Sequence, residues 1–237
     1  MKKTKKILCL FVLTLFAMFL TRGTTVNAAT LKVSQDSLKS DIAKYSVSVS
    51  VDNEVQTFSI DKSEIKKLKV NSKKYNESKT EATVKATVYI DRSVATVKGK
   101  VTIKYKYNAK KEKWTIKSFK YSKTSISKIN LKGEWSGRYV AGQGETKINV
   151  TIPSVTSDGF IKDAVLSFSA VPTNPTVPSG SYSIIGGYDL TTGVVNFSGN
   201  EWIERPGSYG MINFMAHVDL LNKKIVDDQW SLKLEKE

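Results

Sequence analysis

Cysteine and histidine are almost missing from this sequence of 237 residues, which contains one of each, Cys9 and His217. A disulfide needs two cysteines, and structural zinc sites draw on cysteine and histidine, so both features are excluded for the chain beyond its first residues. A nucleophile–base–acid triad usually needs a histidine, and we interpret His217 as a structural or surface residue. We therefore predict no catalytic residue, no metal site and no cofactor.

Long apolar runs are also scarce. The longest covers residues 7–20, which as a helix would span about 21 Å, short of the ~30 Å hydrocarbon core of a bilayer. Four lysines precede this run, and the small residues Ala28 and Ala29 follow it. The pattern is typical of a secretory signal peptide, so we expect residues 1–28 to be removed on export. The alternative is an uncleaved amino-terminal anchor.

Removal of that peptide would leave a chain without a predicted transmembrane segment. We expect this mature chain to be secreted, or associated with a cell wall outside the membrane. Lysine outnumbers arginine in the chain, and together with the form of the predicted signal peptide this excess suggests a Gram-positive bacterium.

The formal net charge of +15 is distributed unevenly along the chain. Residues 30–132 contain 24 basic and 10 acidic side chains, a net charge of +14, whereas residues 133–237 contain 8 basic and 12 acidic side chains, a net charge of −4. Such a change predicts two domains with different surfaces. We place a basic domain at 30–125, a polar linker at 126–132 and a second domain at 133–237.

The first domain is predicted to be α+β, with one helix packed on an antiparallel sheet. Ser34 is the expected N-cap of the helix. Alternating valines follow at 45–51, and a turn at 52–54 leads into the next strand. Ile65, Leu68 and Val70 predict a short helix before another strand. Residues 82–90 alternate strictly between apolar and polar, as in a sheet with one face in water.

Lysines are expected to collect on the solvent face of this sheet. The predicted patch consists of Lys85, Lys100, Lys104, Lys106 and Lys117. One interpretation is solubility, because exposed sheet faces and edges favour lysine. The other is an anion-binding surface for a wall polymer, an acidic lipid or a nucleic acid, with delocalised and salt-sensitive binding because lysine lacks the arginine fork. Nucleic acid is disfavoured because stacking aromatics are not interleaved with these lysines.

The second domain is predicted to be an antiparallel β-meander of seven or eight short strands that forms a closed or nearly closed barrel, since closure removes exposed edges. The fold class is therefore mainly β. An ordered set of motifs runs through this domain: Trp135-Ser-Gly-Arg-Tyr139, Gln143-Gly-Glu-Thr146, Pro178-Ser-Gly-Ser-Tyr182, Gly187-Tyr-Asp189 and Trp202-Ile-Glu-Arg-Pro206.

This set resembles a β-domain of assorted bacterial proteins that has no assigned function, and the likeness covers residues 131–232. The opening Gly-x-Trp-x-Gly-x-Tyr is similar to the first strand of avidin-like and lipocalin-like barrels. The first domain resembles the cystatin-like and NTF2-like sheet domains of secreted Gram-positive proteins. None of these resemblances implies a catalytic residue.

Aromatic residues beside glycines and strand ends are the candidate ligand contacts of the second domain. The candidates are the rings of Trp202, Tyr188, Trp135 and Tyr139, together with the guanidinium group of Arg205. These groups would contact a glycan or an extended peptide. The alternative is that the rings are core residues, because burial of an aromatic ring removes about 150–250 Å² from water. Carboxylates near the motifs could support glycoside cleavage, but no spacing singles out a pair.

The function expected from these observations is that of a secreted, noncatalytic binding or accessory protein at the bacterial cell envelope or outside the cell. Its partners would be an anionic wall polymer, a glycan or another protein. The alternative is a secreted inhibitor or effector of another protein. A carboxylate-dependent glycoside hydrolase ranks last.

Overall fold

The first element of the computed structural model, which describes residues 34–237, is the short helix α1 (Gln35–Ile42). The predicted signal peptide, residues 1–28, lies outside the described residues. Ser34 is the N-cap, as expected: its side-chain oxygen accepts a hydrogen bond of 3.0 Å from the backbone N–H of Ser37. This bond satisfies one of the free donors of the first turn. Leu38 and Ile42, about one turn apart, are fully buried.

A β-hairpin follows the helix and forms a sheet of its own. Its strands are β1 (Val47–Val51) and β2 (Glu54–Phe58), joined by a two-residue turn. Both turn residues have positive φ, 45° at Asp52 and 63° at Asn53. A turn of this kind matches the twist of the flanking strands, and asparagine and aspartate tolerate it better than most residues.

The basic half is dominated by a four-stranded antiparallel sheet with strands in sequence order. The strands are β3 (Ile65–Tyr75), β4 (Glu81–Asp91), β5 (Ala95–Asn108) and β6 (Lys113–Ile129). The helix predicted around 65–70 is wrong, because only the single 3-10 turn Lys62–Glu64 precedes β3. The pairing register shifts between Ile65 and Lys67. This bulge places Ile65 and Leu68 on one strand face, which imitates helical spacing.

The segment predicted as a polar linker, 126–132, begins inside the sheet. Strand β6 continues to Ile129, and Ile126, Ile129 and Leu131 are all buried. Two register shifts between β5 and β6, near Thr96 and near Lys98, interrupt the apolar alternation here. An interrupted alternation looks like weak patterning in a sequence, which accounts for the difference.

The second half is a closed antiparallel barrel of eight strands, and it confirms the predicted mainly β class with a meander and barrel. Each barrel strand pairs with its neighbour along the chain, and the last strand pairs with the first. The barrel strands are β7 (Gly133–Ala141), β8 (Gly144–Ile152), β10 (Ile161–Ser169), β11 (Gly180–Tyr188), β12 (Val194–Glu204), β13 (Phe214–Asp219), β14 (Lys224–Asp227) and β15 (Leu232–Lys236). The short β9 (Ser154–Val155) pairs with β10 alone.

Large side chains fill the barrel interior. Trp135, Ile148, Phe197 and Phe214 are each at most 3 % exposed. An eight-stranded barrel is just wide enough to be filled in this way. The interior is therefore packed core, and sites for larger ligands have to be sought on the outer surfaces.

The two halves share one continuous apolar core. Gly193, in the turn after β11, has a φ of +77°, and a Cβ there would lie 2.8 Å from Val51 of the hairpin and 3.1 Å from Ile126 of the sheet. Only a residue without a side chain allows this approach. The Gln56 side chain adds two hydrogen bonds to the barrel backbone, with the carbonyl of Val218 at 3.1 Å and the N–H of Leu220 at 2.7 Å.

Candidate polyanion-binding surface

The outer face of the four-stranded sheet carries eleven exposed lysines, which we call the lysine face. The pairing register decides which residues share this face, because partners on neighbouring strands point to the same side of a sheet. The eleven are Lys67, Lys69 and Lys74 on β3, Lys85 on β4, Lys98, Lys100, Lys104 and Lys106 on β5, and Lys113, Lys120 and Lys128 on β6.

Four of the five lysines predicted for this surface, Lys85, Lys100, Lys104 and Lys106, lie on it by register. The fifth, Lys117, lies at a register shift of β6, where one residue has no partner on β5. Its ammonium group is 2.7 Å from a carboxylate oxygen of Glu81. Lys117 therefore reaches the lysine face from its edge, and its charge is already paired.

Carboxylates are few on the lysine face. The register places two of them there, Glu81 and Asp91, at opposite ends of β4. The hydrogen bond and charge of Lys117, together with the nearby charges of Lys106 and Lys104, lower the pKa of Glu81. The carboxyl is thus kept ionised by an excess of cations, and the middle of the face has no acidic side chain.

Tyr89 lies near one end of the lysine face and contacts two of its lysines. The ammonium groups of Lys67 and Lys98 lie 5.6 and 5.8 Å from the centre of its ring. Sequence reasoning placed no aromatic among these lysines, although the alternation in β4 puts Tyr89 on the same side as Lys85 and Thr87. One ring is available for stacking, whereas proteins that bind single-stranded nucleic acids use several along a groove.

Lysine spacing on the face follows the geometry of the sheet. Residues two apart on a strand lie about 6.7 Å apart, and neighbouring strands are separated by about 4.8 Å. Lys98 and Lys100 form one such pair on β5, and Lys104 and Lys106 form another. The result is an extended array of exposed cations that can follow a flexible chain of anions. Arginine is absent from the eleven, so bidentate recognition of a single anion is not built into it.

Two aromatic candidates of the barrel are core residues. Trp135 is 1 % exposed and Tyr139 is 3 % exposed. The indole N–H of Trp135 donates to the carbonyl of Leu131 at 2.6 Å, and the Tyr139 hydroxyl accepts a hydrogen bond from Gln143 at 3.0 Å. Burial raises the pKa of Tyr139 to about 12. Both rings pack the barrel and present almost no surface to a ligand.

Trp202 and Arg205 lie together at one end of the barrel. The guanidinium group of Arg205 is 5.8 Å from the centre of the Trp202 ring, and its Nε donates to the carbonyl of Tyr209 at 3.2 Å. The half-buried indole contacts Tyr182 edge-on at a centroid distance of 5.2 Å. This cluster closes the end of the barrel with aromatic rings.

Tyr188 does not join that cluster. Tyr182 pairs with Trp202, whereas Tyr188 pairs with Val195 at the other end of the same hairpin. Six residues along a strand correspond to about 20 Å. The predicted ligand contacts Trp202 and Tyr188 are therefore not parts of one site.

Tyr188 instead lines a groove of about 560 Å³ between the two halves, which we call the junction groove. Three lysines line it as well: Lys128 from β6, Lys132 from the connecting segment and Lys236 from β15. Sequence reasoning did not single out these three residues. No motif marks them, because they come together only through the packing of the barrel against the sheet.

Two of the carboxylates near the barrel motifs, Glu134 and Glu145, lie far apart. Glu134 pairs in register with Thr151 at one end of β7, and Glu145 pairs with Val140 near the other end. The two are about 20 Å apart by strand geometry, whereas paired glycosidase carboxylates lie within about 10 Å. Within residues 34–237, no group of three or more His, Cys, Asp or Glu side chains is placed to hold a metal ion.

No helix in the described part of the chain combines the length and the apolar character needed to cross a bilayer. Comparisons of this chain with family models, with curated proteins and with solved structures find no match.

Proposed function

We propose that this protein is an exported, noncatalytic binding protein of the bacterial envelope, and that its lysine face holds an anionic wall polymer rich in phosphate. The observation that carries the proposal is the array of eleven exposed lysines on one sheet face, accompanied by two carboxylates at its ends. Binding would come from many weak contacts between ammonium groups and phosphates. Its strength should therefore fall steeply with salt.

A wall polymer fits this surface better than a nucleic acid does. The face offers one aromatic ring, Tyr89, and no arginine. It therefore lacks the several aromatic rings on which bases stack and the bidentate guanidinium groups that recognise base edges. Lysine needs only charge from its partner. A flexible polyol phosphate chain supplies this charge without bases that require burial.

The test compares two triple variants with the same total charge. One replaces Lys85, Lys100 and Lys104 by glutamine on the lysine face. The control replaces Lys147, Lys162 and Lys233, which are exposed on the barrel, in the same way. Retention on immobilised poly(glycerol phosphate) is measured over a series of salt concentrations.

We expect the lysine-face variant to lose most of its retention. The slope of log K against log salt concentration should become shallower by about 2 to 3, because three charges are removed. The control should stay close to the unmodified protein. Equal losses in both variants, or retention that does not change with salt, would contradict the proposal. Tighter binding of a single-stranded oligonucleotide of equal charge would favour a nucleic acid instead.

A further inference from the structure

The junction groove differs from the lysine face in being concave. It is formed by the turn between β4 and β5, the segment after β6, the loop after β9 and the end of β15. Its volume of about 560 Å³ lies within the range of small-molecule sites. A ligand here could be enclosed from several sides, which the open sheet face does not allow.

The groove is cationic. Lys128, Lys132 and Lys236 line it together with one carboxylate, Asp91. That carboxylate is already engaged, since one of its oxygens accepts hydrogen bonds from the backbone N–H of Ser93 at 3.0 Å and from the Asn130 amide at 3.5 Å. Among the described residues, no acidic oxygen lies within 4.0 Å of any of the three ammonium groups.

Lys236 is the best positioned of the three lysines. Its ammonium group donates to the carbonyl of Asn130 at 2.9 Å and lies 5.5 Å from the centre of the Trp135 ring. An ammonium group has three donors, so two remain after this bond. The side chain is half-buried, and the two contacts hold its charge at the wall of the groove.

The electrostatic setting of Lys236 favours an anion. Burial lowers its pKa, the carboxylate of Asp91 raises the pKa in part, and the positive charge of Lys128 lowers the pKa again. An anion between the two lysines would offset both the burial and the repulsion.

One aromatic ring, that of Tyr188, lines the groove together with these cations. The Tyr188 ring packs against Gly159, where a Cβ would come within 3.2 Å of it, and this contact holds the ring in place. Thr156 and Ser93 add polar groups to the lining. Amines, hydroxyls and one ring together suit a ligand that has an anionic group attached to a polyol.

We propose that the junction groove binds one phosphate-bearing, sugar-sized unit, with the phosphate held between Lys236 and Lys128 and the sugar ring lying on Tyr188. The inference rests on the proposed function, because Lys128 belongs to both the groove and the lysine face. A polymer lying along β6 could place a terminal unit in the groove. Phosphate suits the site better than a carboxylate, since it offers more oxygens to separate lysine donors.

The test uses glucose 1-phosphate as the probe, with binding to the full chain measured by calorimetry. Lys236→Met and Lys128→Met each remove one charge from the groove. Lys233→Met, an exposed change on the same strand β15, is the matched control. Thermal unfolding of each variant verifies that it is folded, and Lys128→Met, at an exposed position, covers the case in which Lys236→Met loosens the junction.

We expect each groove variant to bind glucose 1-phosphate at least about tenfold more weakly than the unmodified protein, as for the loss of one charge-assisted hydrogen bond. The control should bind as the unmodified protein does. Absence of binding to the unmodified protein, or equal affinity in all variants, would overturn the inference. Equal affinity for inorganic phosphate would overturn the sugar subsite.

These outcomes are separable from the proposed function. Lys236 is not part of the lysine face, so Lys236→Met should retain most of its salt-sensitive binding to poly(glycerol phosphate). The triple lysine-face variant should conversely still bind glucose 1-phosphate. If the unmodified protein binds glucose 1-phosphate but is not retained on poly(glycerol phosphate), the proposed function alone is contradicted.

Discussion

Arg92 and Glu64 form the most enclosed ion pair of the junction between the halves. Arg92 is 5 % exposed and donates two hydrogen bonds of 2.9 Å to the Glu64 carboxylate. The same guanidinium group donates to the barrel carbonyls of Leu220 at 2.8 Å and Leu221 at 3.1 Å. All three guanidinium nitrogens therefore donate hydrogen bonds, and a lysine at this position could not reach the same set of acceptors.

Glu64 should give the protein a measurable sensitivity to acid. Burial alone would raise the pKa of its carboxyl. Hydrogen bonds from Lys223 and the Asp61 backbone, together with the charge of Arg92, outweigh burial and lower the pKa below its ordinary value of 4.5. A carboxyl with a lowered pKa stabilises the fold above its unfolded-state pKa, and this stabilisation is lost as the pH falls through the folded-state value.

We therefore predict that Glu64→Gln lowers the free energy of unfolding at pH 7 by about 2 kcal/mol, and that its difference from the unmodified protein shrinks below pH 4.5. Urea denaturation at several pH values measures both effects. Glu81→Gln, which removes an exposed carboxylate paired with Lys117, is the control and should change stability much less. A difference that is constant with pH would count against the assigned role.

At the scale of elements, bulges explain where sequence prediction failed. Regular alternation of apolar and polar residues predicted β4 and the middle of β5, because the apolar residues of these segments all face the same side of the sheet. Register shifts in β3 and β6 change which side the next residues face. The sequence then shows helix-like spacing at 65–70 and weak patterning after Ser122, although both segments are strands.

The turn between β1 and β2 supports a prediction of increased stability. Asn53 has a φ of 63° in a two-residue hairpin turn, and glycine adopts this conformation without the steric penalty of a side chain. We expect Asn53→Gly to raise the free energy of unfolding by about 0.5 kcal/mol. Thermal denaturation measures the change. Val55→Gly, within strand β2, should have the opposite effect, and stabilisation by both would refute the turn argument.

At the scale of the whole molecule, the chain is a basic sheet packed against an acidic barrel. The change from +14 to −4 along the sequence corresponds to separate hydrogen-bond ladders, with the hairpin and the four-stranded sheet in the basic half and the barrel in the acidic half. The apolar core nevertheless continues from one to the other. Different surfaces thus do not require independent folding units.

A shared core predicts that the two halves unfold together. Trp114 belongs to the sheet, whereas Trp135, Trp202 and Trp230 belong to the barrel, so a Trp114→Phe variant reports on the barrel alone. We expect its fluorescence transition to coincide with the calorimetric transition of the whole chain. Two separate transitions would contradict this prediction.

Arg92→Met should weaken this coupling, because Glu64 then loses its buried partner and the barrel carbonyls lose their donor. We expect a loss of about 3 kcal/mol in the free energy of unfolding, and a partial separation of the two transitions. Arg138→Met, which affects an exposed ion pair with Glu145, serves as the comparison.

Composition and alternation were sufficient to predict the mainly β class, the meander, the change in net charge along the chain and four lysines of the lysine face. Each of these features depends on a residue and its near neighbours in the sequence. Composition and alternation could not predict which residues, distant in the sequence, lie close together in the structure. The bond from Lys236 to Asn130 joins positions 106 residues apart, and no local pattern encodes such a distance. The buried Arg92 and the junction groove follow from the packing of barrel on sheet, since contacts of that range are set by the shape of two surfaces. The separation of Tyr188 from Trp202 follows instead from the pairing register of β11 and β12.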